Sequence, residues 1–72
     1  MEGNATNPSR ARLEQREADI LQAATTLFAS DGFHATSTRK IAARAGVSEG
    51  TVFHYYATKI ELLLAILDGW PV

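Results

Sequence analysis

Apolar positions recur at helical spacing in four stretches of this chain, and residues that start or stop helices bound each stretch. In the first, Ile20, Ala24, Leu27 and Phe28 form a stripe that Leu13 and Ala23 extend, with Glu14, Glu17 and Asp19 on the solvated side. The spacing predicts a helix over residues 11–30, stopped at Asp31-Gly32 because glycine takes the left-handed conformation without a Cβ penalty. Among Thr36, Ser37 and Thr38, Ser37 is the preferred N-cap of a second, short helix. Its buried face is Ile41, Ala42 and Ala45, and it ends at Gly46. Ser48 caps a third helix, with Val52, Phe53 and Tyr56 as its inner face. Thr58 and Glu61 have the spacing of a capping box, in which each side chain satisfies the other residue's backbone amide. They open a fourth helix that turns Leu62, Leu63 and Ile66 inward and ends at Asp68-Gly69, just before Pro71. No stretch shows the sustained alternation of a strand, so the expected class is all-α.

Two regions follow. Residues 1–10 read as a disordered arm, because they are rich in Asn, Gly, Pro and Thr and lack periodic apolar positions. Residues 11–69 read as one small helical domain. At 72 residues the chain can bury only a thin core.

The absence of cysteine removes disulfides and thiolate metal sites, and His34 and His54 have no metal-ligand spacing between them. No metal or cofactor is therefore expected. The longest apolar run, Leu62 to Leu67, is far short of the roughly 20 residues of a membrane span. The N-terminus has no apolar signal core, and a cytoplasmic location is expected. The formal net charge of −1 hides an uneven distribution. Between residues 34 and 59, Arg39, Lys40, Arg44 and Lys59 stand against Glu49 alone, while acids prevail on both sides. A local positive patch matters more for phosphate binding than the total.

The second and third helices, joined by a turn with Gly46 at its centre, have the arrangement of a helix-turn-helix. Ala42 is small where the next helix crosses it, Gly46 takes positive φ, Val47 plugs the corner and Val52 packs back on Ile41. With Val52, Phe53 and Tyr56 inward, the outer face carries Glu49, Gly50, Thr51, His54 and Tyr55, with Ser48 at its head. A recognition helix brings such an end to base edges. Gly50 permits close approach, and Thr51 offers a hydroxyl and a methyl. The Tyr55 hydroxyl can reach a phosphate. Lys59 at the start of the fourth helix adds a cation where backbone amides already attract anions. Arg39 can reach a phosphate or a guanine edge.

The run from Ser37 to Tyr56, followed by Lys59, resembles the N-terminal domain of the tetracycline-repressor (TetR) family, as do Leu27-Phe28 and Asp31-Gly32-Phe33. The likeness covers residues 16–67. It implies a homeodomain-like three-helix core plus a fourth helix that leads to a ligand-binding domain absent from these residues. It also implies a homodimeric regulator, usually a repressor, that a small-molecule effector releases from a palindromic double-stranded DNA operator. By position Thr38, Tyr55 and Lys59 match phosphate contacts, and Arg39, Glu49, Gly50, Thr51 and His54 match variable positions near bases. Two residues depart from the pattern: Phe53 stands where many members have tyrosine, and Glu49 places an acid near the DNA backbone.

The fourth helix is apolar almost all round, more than a three-helix core can cover, which points to a fragment of a longer chain. Alone, these residues are expected to be monomeric and to bind DNA weakly. The alternative reading is a helical protein-interaction module that uses this fourth helix as its contact. No constellation supports an enzyme.

Overall fold

The computed structural model describes residues 8–69, with four helices and, among those residues, no strand. They are α1 (Pro8–Asp31), α2 (Thr38–Ala45), α3 (Glu49–Tyr55) and α4 (Lys59–Leu67). The last two boundaries and that of α2 follow the caps expected from the sequence. The helix expected to begin at residue 11 begins at Pro8, so the end of the expected arm is helical, and its residues 1–7 lie outside the described part. A proline fits a first turn, where its missing N–H has no partner to lose. Pairs four residues apart support the next turns: Arg10 with Glu14 at 3.4 Å, and Gln15 donating to Asp19 at 2.9 Å.

The turn after α1 combines a left-handed Gly32, at φ +89°, with Thr36. Thr36 is completely buried, and its Oγ1 lies 2.8 Å from the Gly32 carbonyl and 3.2 Å from that of Leu27. It is thus a fastener between the turn and α1 and plays no part in capping α2. Ser37 does that, its hydroxyl accepting from the Lys40 amide at 3.1 Å.

The end of α2 is a Schellman motif. The Val47 amide returns to the Ala42 carbonyl at 3.0 Å and the Gly46 amide to Ala43 at 3.3 Å, with Gly46 at φ +77°. One residue later Ser48 accepts from the Thr51 amide at 3.1 Å and starts α3. The interval between the helices of the motif is thereby fixed at both ends by hydrogen bonds.

At α4, Thr58 accepts from the Glu61 amide at 3.2 Å as expected. The return bond differs: the Glu61 carboxylate accepts from the amide of Ala57, not from that of Thr58. Thr58 is extended, at φ −140° and ψ 162°, and the amide before it is the one within reach.

α1 packs on α2 and α4, and α2 packs on α3. The core is Ile20, Leu21, Ala23 and Ala24 of α1, Ile41 and Ala42 of α2, Val52 of α3 and Leu62 of α4. Full burial of an Ile, Leu or Val side chain stabilises by about 1.5–3 kcal/mol, so the few wholly buried large side chains, Ile20, Ile41, Val52 and Leu62, dominate the apolar contribution. Val52 is the one residue of α3 in this core, so α3 rides on the surface of the domain.

Candidate nucleic-acid interface

α3 has seven residues, and Val52 sets its phase. Tyr55, one turn on, is half-buried and packs against the core, while Phe53 is 46% exposed and belongs to neither the core nor its margin. The expected roles of these two aromatics are therefore exchanged. Four consecutive aromatic positions from Phe53 to Tyr56 carry no periodicity of their own, and α3 stops at Tyr55. Tyr56 is extended, at φ −141° and ψ 116°, so its inward direction says nothing about the helix before it. Positions 52 and 55 alone define the inner face.

The inward tyrosines are tied to α1. The Tyr55 hydroxyl donates to the Leu13 carbonyl at 3.0 Å, and the Tyr56 hydroxyl donates to the Glu17 carboxylate at 2.5 Å. Tyr55, expected to point outward to a phosphate, instead holds the end of α3 against α1. Glu17, expected on the solvated side, is half-buried beneath Tyr56. Burial, and then the Glu17 carboxylate, push the Tyr56 phenol well above its usual range.

The outer face of α3 comprises Gly50, Phe53 and His54, all exposed, flanked by half-buried Glu49 and Thr51. His54 stands edge-on to Tyr55, with ring centroids 5.3 Å apart. The Thr51 and Ser48 hydroxyls lie 3.0 Å apart and hydrogen-bond to each other. A Cβ built on Gly50 would meet only the Ser48 hydroxyl, at 3.8 Å, and the domain itself has no need of glycine there.

The N-termini of α2 and α3 meet. Thr38 donates to Glu49 at 2.7 Å, which holds that carboxylate at the head of α3, where the helix dipole favours it. The neighbouring Arg39 is exposed and makes no hydrogen bond or ion pair among the described residues. Lys40 is paired with Asp31 at 3.1 Å, and this hydrogen bond holds the Asp31 carboxyl below its usual range. Lys59 sits 4.3 Å above the Phe33 ring and donates to the Phe33 carbonyl at 2.6 Å. It is thus fixed at the junction of α4 with the α1–α2 turn, with two further N–H donors on its ammonium.

Thr38, Arg39, Ser48, Glu49, Gly50, Thr51 and His54 accordingly gather around the heads of α2 and α3 and the outer face of α3, while Tyr55 turns away and Lys59 is braced from behind. Phe53 joins the outer face, although the sequence reading placed it in the core. Counting three residues on from Val52 is the signal that separates it from Tyr55. Among the described residues no cluster of His, Asp or Glu could hold a metal ion, and no helix is long and apolar enough to cross a membrane.

Residues 20–66 match the model of the family described as bacterial regulatory proteins, tetR family. The chain belongs to that family. Its α2 and α3 are the helix-turn-helix of that family of bacterial regulatory proteins. It is 54% identical over 55 residues to the HTH-type transcriptional repressor Rv3405c of Mycobacterium tuberculosis, a match covering 76% of this chain and 29% of that protein. It is 35% identical over 66 residues to the HTH-type transcriptional activator FasR of Mycolicibacterium smegmatis, covering 92% of this chain and 30% of FasR. With the HTH-type transcriptional repressor KstR2 of Mycobacterium tuberculosis it shares 34% identity over 59 residues, covering 82% of this chain and 30% of that one. The chain thus spans under a third of the length of these curated relatives. No solved structure matches it.

Proposed function

We propose that this tetR-family domain reads a double-stranded DNA operator with the outer face of α3 and that it represses transcription. The exposure of Gly50, Phe53 and His54 on a helix whose opposite side is locked to α1 and α2 carries the reading. A helix held this way presents a rigid, small-featured surface to base edges in a major groove. Repression is favoured by the name of the relative at 54% identity, against the activator at 35%.

The roles divide by chemistry. Arg39 and Lys59 are cations beside the groove face and anchor phosphates, and Thr38 joins them when its hydroxyl turns from Glu49 to a phosphate oxygen. Thr51 and His54 face the bases. Tyr55 positions α3 from behind. In a protein of the length of the relatives, two copies of this domain form a homodimer on a palindromic operator. Their recognition helices then lie about 34–36 Å apart, one turn of DNA. A small-molecule effector, bound outside these residues, releases the operator, and the site of action is the cytoplasm.

The test is a titration against a selected operator and its single-base variants at several salt concentrations. Lys59→Ala and Arg39→Ala are expected to weaken binding evenly across sequences, each reducing the salt slope by about 1. Thr51→Ala and His54→Ala are expected to relax preference at particular base pairs by roughly 1–3 kcal/mol. Binding that ignores salt, or variants without effect, would place the interface elsewhere.

A further inference from the structure

Phe53 is the one large apolar side chain that α3 leaves exposed. It is 46% exposed, makes no ring contact among the described aromatic pairs, and lies outside the core and its margin. Its place in the fold gives it a meaning. One turn before it on the same side is Gly50, so no side chain stands there beside the ring. Glu49, the other neighbour one turn back, turns its carboxylate to Thr38 and away from the ring. The one carboxylate of α3 is thus turned to α2, and the ring is left as an apolar surface on the outer side of α3.

A phenyl ring cannot donate or accept a conventional hydrogen bond, so it cannot read the polar edges of bases or anchor a phosphate. The major groove wall does carry an apolar feature, the C5-methyl group of thymine, which no other base presents. We infer that Phe53 is a specificity-determining residue that packs against thymine methyl groups in the operator, with Gly50 leaving the room for them. This rests on the reading of α3 as the recognition helix. It predicts an operator with thymine opposite the middle of α3, and a preference read by shape and apolar contact instead of by hydrogen bonds.

The experiment uses the 72-residue chain and duplexes it selects from a randomised pool. Each thymine of the selected duplex is replaced in turn by deoxyuridine, which removes one methyl group and keeps every hydrogen-bonding edge. Affinity is expected to fall about fourfold at one or two positions, the effect of one buried methyl. Phe53→Ala is expected to bind the thymine duplex more weakly and to lose the discrimination between thymine and deoxyuridine there. Phe53→Tyr keeps the ring face and is expected to retain it. Because the ring lies outside the core, circular dichroism and thermal melting of both variants should match the parent.

A selected site without thymine opposite α3, or equal binding of the thymine and deoxyuridine duplexes, overturns the inference and leaves the DNA-binding reading intact. So does discrimination that survives Phe53→Ala, because the methyl is then read by another residue. Absence of salt-dependent binding to any selected duplex overturns both.

Discussion

Thr38 and Glu49, the first residues of the two motif helices, are joined by a 2.7 Å hydrogen bond from hydroxyl to carboxylate. The bond does two things at once. It ties the head of α2 to the head of α3, and it holds an acid beside the proposed DNA-binding surface. Glu49→Gln keeps an acceptor for Thr38 and removes the charge. It is expected to leave the melting temperature nearly unchanged and to raise affinity for non-specific duplex several-fold at low salt, by removing a repulsion that salt would screen. Thr38→Val breaks the bond and is expected to cost about 1 kcal/mol of stability in denaturant titrations.

Thr36 is a second polar anchor, buried where Gly32 and Leu27 present carbonyls. Thr36→Val has nearly the same shape and cannot donate. It leaves those carbonyls short of a partner and is expected to cost about 1–3 kcal/mol, a large share of what so small a domain has. Thr36→Ser keeps the donor and should recover most of the loss in urea melts.

These two bonds also mark where the sequence is readable. Ser37, Ser48 and Thr58 announce their helices because capping depends on a hydroxyl and a few following residues, all local. Gly46 is legible for the same reason, as the turn needs its positive φ. The burial of Thr36 is not local, because it depends on two carbonyls of α1 that the turn folds back upon. The exchange of Phe53 and Tyr55 has another origin. In a seven-residue helix followed by an extended residue, Val52 alone sets the phase, and the run of aromatic residues after it obscures the count. The outer face of α3 was therefore legible at Gly50 and His54 and misread at Phe53 and Tyr55.

The Tyr56–Glu17 contact makes stability depend on alkaline pH. The Tyr56 phenol is held above its usual value of 10.0 by burial and by Glu17, so folding favours its protonated form. That stabilisation is fully present below the pKa of the unfolded chain and is lost as pH rises through the higher folded value. Urea melts between about pH 8 and 11 should show the parent losing stability above pH 10 relative to Tyr56→Phe. At neutral pH, Tyr56→Phe should be the less stable by about 1 kcal/mol, because it lacks the hydrogen bond.

Gly50 separates fold from function. The domain has room for a Cβ there, since only the Ser48 hydroxyl lies near, at 3.8 Å. Gly50→Ala is therefore expected to leave stability unchanged or raise it by up to about 1 kcal/mol, the helix-propensity difference. It is expected to weaken operator binding, because the new methyl stands on the surface that approaches the bases. Thermal melting and a DNA titration on the same variant check both halves.

The most direct measurement is a heteronuclear NMR titration of this chain with a selected duplex at low and high salt. The account predicts that amides of Gly50, Thr51, Phe53 and His54, with those at the heads of α2 and α4, shift most, and that the shifts shrink as salt rises. It also predicts little change at Leu64 and Leu67, on the exposed apolar side of α4. Shifts centred on Leu64 and Leu67, with the α3 face unmoved, would contradict it and favour a protein-interaction module.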